Sequence, residues 1–279
     1  MESQTTVESP PADNPFANRL SADNGQIKKA GLLSKIRRQK RRRPIFGLLY
    51  GPPGVGKSTF GASLPEPLVI GVERGLDQIS VDKLDEPPKT FAEFYGWLDW
   101  LAREEHSFKS IVIDTIDALE LLMFNRIIEE GGPNCKTLEA YGGGYNKWIS
   151  RERELWTGVV TKLTEMSERF NILLIAHSQV KNQIDPILSG SYDQHQIKIQ
   201  EKSAAIIKQS VDLILFANLD VSLSKESPKA RKGRGLVSGD RVLYTQPITG
   251  AEAKNRYNLE SPLEFSWAAL SDGIERFYK

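Results

Sequence analysis

Cysteine and long apolar runs are scarce in this sequence. A single cysteine, Cys135, occurs among 279 residues, which excludes an internal disulfide and a metal site built from several cysteines. No apolar run approaches the roughly 20 residues that a membrane helix needs, and the polar N-terminal stretch lacks the apolar core of a secretory signal. We therefore expect a cytoplasmic protein, in the host cell's cytoplasm if it is phage-encoded, with no membrane partner.

Acidic residues are absent from one segment, residues 28–43. This basic arm holds nine Lys or Arg, and because the net charge of the whole chain is only +1, the remainder carries a net charge of −8. Such a block is typical of a contact with a polyanion, since each neutralised phosphate releases counterions. A solvated linker whose charges aid solubility is the alternative.

Composition changes along the chain indicate how it is organised. Residues 1–27 contain three prolines and no sustained apolar period, which is typical of a disordered tail, so we predict a tail with a basic arm over 1–43. From Pro44 onward, strand-like runs alternate with helical patterns. This alternation predicts one α/β domain over 44–279, with a mostly parallel central sheet and helices on both faces. The expected strands cover 45–50, 68–72, 109–114, 172–176, 213–218 and 241–245, and the expected helices 57–64, 91–105, 116–130, 145–169 and 203–209.

The most specific motif follows the first predicted strand. The chain there reads Gly-Pro-Pro-Gly-Val-Gly-Lys-Ser-Thr, which matches the phosphate-binding pattern G-x-x-x-x-G-K-[ST] in its strand-loop-helix context. Loop N–H groups would wrap a polyphosphate, Lys57 would reach its β- and γ-phosphates, and the Ser58 hydroxyl would ligate Mg²⁺. A chance Gly-Pro turn before a helix is the alternative. The residues expected to contact the nucleotide are Gly51, Pro52, Pro53, Gly54, Val55, Gly56, Lys57, Ser58 and Thr59.

Two acidic residues complete the predicted hydrolytic site. Asp114 ends a buried apolar strand, the position from which an aspartate holds the nucleotide's metal ion together with Ser58. Because Thr115 follows Asp114 where many ATPases have a glutamate, another acid must orient the attacking water. Glu73, at the end of the second strand, would project into the same crevice; an ion pair with Arg74 is its alternative. Asp117 and Glu120 are expected on a solvated helix face, and support of the metal's surroundings is their alternative role.

Two further groups are candidates for responding to the γ-phosphate. The fourth strand ends in His177, Ser178 and Gln179, and Gln179 is placed to sense the γ-phosphate, whereas a core histidine is the alternative for His177. The polar stretch 180–199 then suits a ligand-contact loop. Lys254 and Arg256, at spacing two on an extended segment, face the same way and would deliver two positive charges to a neighbouring subunit's nucleotide. A surface basic pair is the alternative.

These motifs together resemble those of phage-encoded RecA-like P-loop NTPases, the AAA-domain nucleotide-binding proteins that include Sak-type single-strand annealing ATPases. The resemblance implies ATP as the nucleotide, Glu73 as the water-activating residue, Gln179 at the start of a DNA-binding loop, and Lys254 and Arg256 as a finger acting between subunits. It rests on residues 51–59, 73–76, 111–120, 141–145, 175–179 and 253–256.

The expected function is therefore that of an ATPase in phage DNA recombination or replication. It would bind or anneal single-stranded DNA as a homo-oligomer, in a ring or a filament, with single-strand-binding or replication proteins as candidate partners. The basic arm, a second basic cluster at 225–234 and the aromatic residues Tyr141, Tyr145 and Trp148 supply backbone and stacking contacts. The alternatives are a nucleotide-switched interaction module that serves a replication or packaging partner without binding DNA, and a helicase-like translocase.

Overall fold

The computed structural model describes residues 40–185, 190–224 and 234–279. The predicted tail, most of the basic arm and almost all of the 225–234 cluster lie outside these ranges. By its contacts the chain divides into two units, residues 1–41 and residues 42–279, and the second is the folded domain described below. In the described ranges no helix combines the length and the apolar character needed to cross a bilayer.

The domain contains ten strands and six α-helices in the described ranges. The strands are β1 Phe46–Gly51, β2 Pro67–Gly71, β3 Asp82–Lys83, β4 Ser110–Asp114, β5 Asn171–Asp185, β6 Gly190–Ile197, β7 Leu213–Ser224, β8 Arg234–Tyr244, β9 Lys254–Asn255 and β10 Leu263–Glu264. The helices are α1 Lys57–Ala62, α2 Phe91–Arg103, α3 Ile116–Glu130, α4 Lys147–Met166, α5 Glu201–Ser210 and α6 Trp267–Tyr278, with a 3₁₀ segment at Leu138–Gly143.

The strands form one sheet in the order β10-β8-β7-β1-β5-β4-β2-β3. The six strands from β7 to β3 are parallel, whereas β8 and β10 pair antiparallel at the other end. In the register of the parallel strands, Gly51 lies beside His177 and Gly71 beside Asp114. The carboxyl ends of β1, β2, β4 and β5 therefore meet at one edge of the sheet, which is where α/β proteins bind their ligands.

Both faces of the central strands are buried. Ile111, Val112 and Ile113 are fully buried, as expected of a parallel strand covered on both sides. One face packs against α2 to α5, through residues such as Leu98 and Trp156, and the other packs against α1 and α6. The predicted fold class is thus confirmed: a RecA-like α/β domain with a mostly parallel sheet and helices on both faces.

Two parts of the domain differ from the expectation. Residues 180–199 were expected to form a loop, but β5 continues to Asp185 and pairs antiparallel with β6, so that they form a hairpin. The polar sequence hid this hairpin because it projects beyond the core and has no regular apolar side. The second difference is α6, which the sequence analysis did not predict; it begins after Ser266, whose Oγ accepts a hydrogen bond from Ala269 N at 3.1 Å.

Candidate functional site

The phosphate-binding motif forms the turn between β1 and α1. Gly54 and Gly56 have φ values of +76° and +99°, in the left-handed region that favours glycine. Lys57 is buried, and its Nζ donates hydrogen bonds to the carbonyl oxygens of Gly51 at 3.1 Å and Pro52 at 3.0 Å. Burial lowers the pKa of Lys57, against the opposite effect of Asp114 and other nearby acids. The backbone of the loop therefore holds the Lys57 side chain in place.

Asp114 lies beside the loop at the end of β4. Its buried carboxylate lies beside the Ser58 side chain, and burial raises its pKa although Ser58 and Lys57 lower it. The next peptide bond, Asp114–Thr115, is cis, and Thr115 Oγ1 caps α3 by accepting from Ala118 N at 3.3 Å. A hydroxyl and a carboxylate at one place are hard oxygen donors, so the pair fits the requirements of Mg²⁺.

Glu73 lies two residues beyond the end of β2, next to the end of β4. Its side chain lies near the Thr115 side chain, and Asp114, Asp117 and His177 are close enough to influence its charge. Burial raises the pKa of Glu73, while His177 lowers it to a smaller extent. The structure therefore brings Glu73 to the same edge as Lys57, Ser58 and Asp114.

The prediction of a solvated face for Asp117 and Glu120 was wrong. Asp117 Oδ1 accepts a hydrogen bond from His177 N at 2.9 Å, and Oδ2 lies 2.8 Å from His177 Nδ1. Glu120 is buried, and its Oε1 accepts a hydrogen bond from Gln200 N at 2.7 Å. Both side chains face elements that arrive later in the chain, which the helical pattern around them does not reveal.

Glu120 shares its surroundings with a second carboxyl group, that of Glu152 on α4. Burial is the largest influence on both, and it raises the pKa of Glu152 and raises the pKa of Glu120 to about 8. Ser203 on α5 and Trp156 on α4 lie next to Glu152. A buried pair of acids favours holding a proton, because two neighbouring carboxylates cannot both ionise cheaply. The sequence analysis did not foresee this pair.

Gln179 and the basic pair make their hydrogen bonds to parts of the chain outside the loop. Gln179 is on the hairpin, two residues past His177, and its Nε2 donates to Ile197 O at 3.1 Å. Lys254 pairs with Ile214 at the start of β7, level with Leu48 in the middle of β1. The roles of Gln179, Lys254 and Arg256 towards a nucleotide stay predictions.

Lys254 and Arg256 have partners of their own. Lys254 Nζ donates to Lys208 O at 2.7 Å and Gln209 O at 3.0 Å, at the end of α5. Arg256 Nη1 donates to Asp212 Oδ1 at 2.8 Å. Their action on a neighbouring subunit stays a prediction.

The predicted aromatic contacts differ in their exposure. Tyr145 is 95% exposed, in a turn where its φ is +57°. Trp148 packs edge-on against Phe124, with ring centroids 5.7 Å apart, and Tyr141 is also partly covered by the core. Of the three, Tyr145 presents its ring to solvent most fully.

Arg241 is a residue at the loop that the sequence analysis missed. It lies on β8, and a Cβ built on Gly56 would approach Arg241 Nη1 to 2.8 Å and Phe265 Cε1 to 3.4 Å. No motif marks Arg241, because its position depends on how β8 folds back beside β7.

The chain matches a known protein family. A family profile described as AAA domain matches residues 43–257, and no curated protein matches the chain. Among solved structures, the chain is similar to one described as a DnaB-like replicative helicase and its interactions with primase. The two chains are 10% identical, with a TM-score of 0.39, and the alignment covers 87% of this chain and 71% of the helicase chain. A TM-score of this size carries no functional conclusion. The profile match spans most of the chain, and the protein therefore belongs to the AAA domain family.

Proposed function

We propose that this protein binds ATP with Mg²⁺ and hydrolyses it. The observation that carries the proposal is the meeting of Lys57, Ser58, Asp114 and Glu73 at the carboxyl edge of one sheet. The phosphate-binding loop supplies N–H groups and Lys57 for the polyphosphate, while Ser58 and Asp114 would hold Mg²⁺. The metal ion supplies positive charge that neutralises phosphate oxygens.

Glu73 is the residue that we assign to the attacking water. Its carboxylate lies near the Thr115 side chain, beside Asp114, and so stands at the crevice without occupying the phosphate-binding loop. There it would orient a water molecule for attack on the γ-phosphate and accept its proton. Thr115 thus serves as a support for the acid, in the position where many ATPases carry the acid itself.

Two variants test this assignment. Lys57→Ala should abolish tight ATP binding, whereas Glu73→Gln should keep ATP binding and lower the turnover by a factor of about 100 or more. Glu66→Gln is a matched control, because Glu66 forms an exposed ion pair with Lys109 at the other end of β2. Wild-type turnover in Glu73→Gln would remove Glu73 from the mechanism.

We further propose that ATP turnover serves the handling of single-stranded DNA in recombination or replication. The exposed Tyr145 offers a stacking surface, and the basic arm offers charge for the DNA backbone. Single-stranded DNA should therefore stimulate the ATPase rate, and deletion of 28–39 should weaken DNA binding and its salt dependence. Arg42 and Arg43 are left in place because they pair with Glu275 and Asp212 inside the domain.

A nucleotide-switched interaction module is the second candidate function. The hairpin of β5 and β6 begins at His177, next to the site, and exposes two apolar side chains: Val180 is 57% and Ile184 is 80% exposed. Apolar side chains of this kind favour a protein partner over DNA. Two results together would favour this candidate. DNA would leave the ATPase rate unchanged, and a Val180→Asp or Ile184→Asp change would abolish the stimulation of the ATPase rate by the partner protein.

Assembly is tested separately. If Arg256 acts on a neighbouring subunit's nucleotide, Arg256→Ala and Lys57→Ala should each be inactive, and mixing them should restore part of the activity at mixed interfaces. Mixtures that remain inactive would contradict a finger acting between subunits. The helicase alternative would instead show strand displacement in the same samples.

A further inference from the structure

Helix α2 has a buried inner side and an exposed outer side. The buried positions, which pack against the core, are Phe94, Leu98 and Leu101. Four exposed residues on the outer side follow one another at spacings of three, four and three residues, which is the spacing with which one helix packs along another. We call this set the outer stripe of α2, and its members are Glu93, Gly96, Trp100 and Arg103.

Two tryptophan side chains are exposed on this side of α2. Trp97 is 39% and Trp100 is 42% exposed, and their rings meet edge-on with centroids 5.9 Å apart. Trp100 also stacks on His106, with ring centroids 5.8 Å apart, which fixes the position of its ring. Exposed aromatic side chains next to each other are typical of a protein–protein interface.

Gly96 lies one turn before Trp100, in the middle of the helix. A Cβ built on Gly96 would meet nothing within 4 Å, so packing inside this chain does not require glycine there. Glycine inside a helix is less favourable than alanine, because it loses more backbone freedom on folding. The open helix backbone at Gly96 leaves room for a large side chain that comes from outside the chain.

The outer stripe carries opposite charges at its two ends. Glu93, in the first turn, accepts a hydrogen bond from Lys89 N through Oε2 at 2.7 Å, and its other oxygen can accept from a further donor. Arg103, in the last turn, is exposed, and no acid of the described residues forms an ion pair with it. Asp99, one turn earlier, pairs with Lys162 on α4.

We propose that the outer stripe of α2 binds the same stripe of a second copy of this chain, in an antiparallel helix pair related by a two-fold axis. If the two helices cross near Leu98, Trp100 of each copy lies over Gly96 of the other. Glu93 of each copy then faces Arg103 of the other. A parallel pair would instead place like charges together and tryptophan against tryptophan, so charge and size favour the antiparallel arrangement.

This interface is separate from the predicted contact of Lys254 and Arg256 with a neighbouring subunit's nucleotide. A finger of that kind joins two different surfaces, head to tail, whereas a two-fold pair uses one surface twice and closes at the dimer. The pairing of α2 goes beyond the proposed ATP hydrolysis and does not depend on it. Because two single helices share a small contact, we expect a dissociation constant in the micromolar range.

Sedimentation velocity of the full chain without nucleotide tests the proposal. The wild type should change from monomer to dimer as its concentration rises. Gly96→Leu should raise the dissociation constant by about tenfold or more, because leucine fills the place that Trp100 of the second copy needs, while leucine favours the helix itself. Gly158→Leu is the matched control on α4, where a Cβ also meets nothing within 4 Å, and it should leave the dimer unchanged.

Two charge reversals provide a second test that does not depend on the stability of the Gly96 variant. Arg103→Glu and Glu93→Lys each place like charges opposite one another twice in the pair, so each should raise the dissociation constant by about tenfold or more. An equimolar mixture of the two variants restores both opposite-charge pairs and should dimerise as the wild type does. Arg153→Glu and Glu165→Lys, at exposed positions of α4, are the matched controls and should keep the wild-type dimer.

Each outcome decides for or against the α2 pair. A wild type that stays monomeric at every concentration would overturn it, and so would dimers that persist in Gly96→Leu and in both charge variants. Charge variants that stay monomeric when mixed would contradict the antiparallel register. Dimers that are lost in each variant and recovered in the mixture would support the proposal. An ATPase assay on the same samples tests the proposed function separately, since an inactive protein that dimerises in this way would contradict only the ATPase.

Discussion

Asp117 binds His177 through two hydrogen bonds, one to the main-chain N–H at 2.9 Å and one to ring Nδ1 at 2.8 Å. A carboxylate only accepts, so Nδ1 carries the proton in this contact. Asp117 belongs to the first turn of α3, just after Asp114, and His177 lies on β5 beside Gly51, the last residue of β1. The contact therefore joins the metal-binding end of β4 to the base of the hairpin.

Removing this contact should weaken both stability and turnover. Asp117→Ala leaves the His177 main-chain N–H and its ring without the acceptor, which should lower the free energy of unfolding by about 1–3 kcal/mol. We expect kcat to fall about tenfold, because the change in activation free energy for a tenfold change in rate is close to the net contribution of one hydrogen bond. Urea denaturation and steady-state ATPase assays measure the two effects.

The matched control for Asp117 is Asp272→Ala, an exposed aspartate on α6. It should leave the free energy of unfolding and the activation free energy of turnover within about 0.5 kcal/mol of the wild-type values. Asp117→Asn keeps one acceptor oxygen, so its stability and turnover should lie between those of Asp117→Ala and wild type. Unchanged turnover in Asp117→Ala would show that the contact has no role beyond packing.

Gly56 should tolerate no side chain. Its φ of +99° is strained for other residues, and a Cβ 2.8 Å from Arg241 Nη1 would also displace the end of this flexible side chain. Gly56→Ala should therefore lower the free energy of unfolding by about 1–3 kcal/mol and weaken ATP binding. Thermal denaturation and calorimetry provide the measurements.

Gly158 provides the comparison for Gly56. It lies within α4, where a Cβ would meet nothing within 4 Å. Gly158→Ala should raise the stability by about 0.5–1 kcal/mol, because alanine loses less backbone freedom in a helix. Equal effects of the two changes would contradict the structure of the loop.

The pH dependence of turnover should report Glu73. Burial raises its pKa above the ordinary value of 4.5, and the carboxylate must be ionised to accept a proton. Turnover should therefore fall as the pH drops through this raised pKa, at a higher pH than for a free glutamate. A profile of kcat against pH checks this. If Glu73→Gln retained the same acid limb, another group would be responsible.

Glu120 should make the protein less stable as the pH rises. Burial raises the pKa of Glu120 from its ordinary value of 4.5 to about 8, so the folded state binds the proton more tightly. Its stabilising contribution is complete below about pH 4.5 and is lost as the pH rises through about 8. Glu120→Gln mimics the protonated form and keeps an oxygen for Gln200 N.

Glu120→Gln should consequently raise the free energy of unfolding by about 1–3 kcal/mol at pH 8 and reduce its decline with pH. The matched control is Glu165→Gln, an exposed glutamate on α4. Urea denaturation at pH 5, 6.5 and 8 compares the three proteins. A stability that declines equally steeply in wild type and Glu120→Gln would assign the titration to a different group.

Arg43 should contribute more than Arg256 to stabilising the buried carboxylate of Asp212. Its carboxylate is 3% exposed, and Arg43 Nη2 contacts both oxygens at 2.8 and 2.9 Å, whereas Arg256 contacts one. Arg43→Ala should lower the stability by about 1–3 kcal/mol, and Arg256→Ala by less than about 1 kcal/mol.

The same pair separates a structural role from a role between subunits. If Arg256→Ala loses ATPase activity while keeping its stability, its function lies outside the contact with Asp212. If activity and stability fall together, as they should in Arg43→Ala, the arginine acts only through the fold. Thermal denaturation beside the ATPase assay distinguishes these results.

Most of the predicted strands and helices agree with the structure where the core dictates the residue pattern, and helix α6 is the exception. The run at 111–113 predicts β4 because a strand buried on both faces needs an apolar residue at every position. The hairpin of β5 and β6 was missed because its backbone pairs outside the core, where no apolar alternation is required. Helix α6 was missed although its apolar residues Leu270 and Ile274 are buried against the sheet.

By itself, the sequence determined the phosphate-binding loop, the acid at the end of β4 and the α/β fold, because a contiguous motif and local hydrophobic patterns specify them. Only the tertiary structure decided that Asp117 holds His177, that Glu120 is buried beside Glu152, and that Arg241 lies against Gly56. Each of these contacts joins elements far apart along the chain. Their formation depends on the order and register of strands, which local residue patterns do not encode.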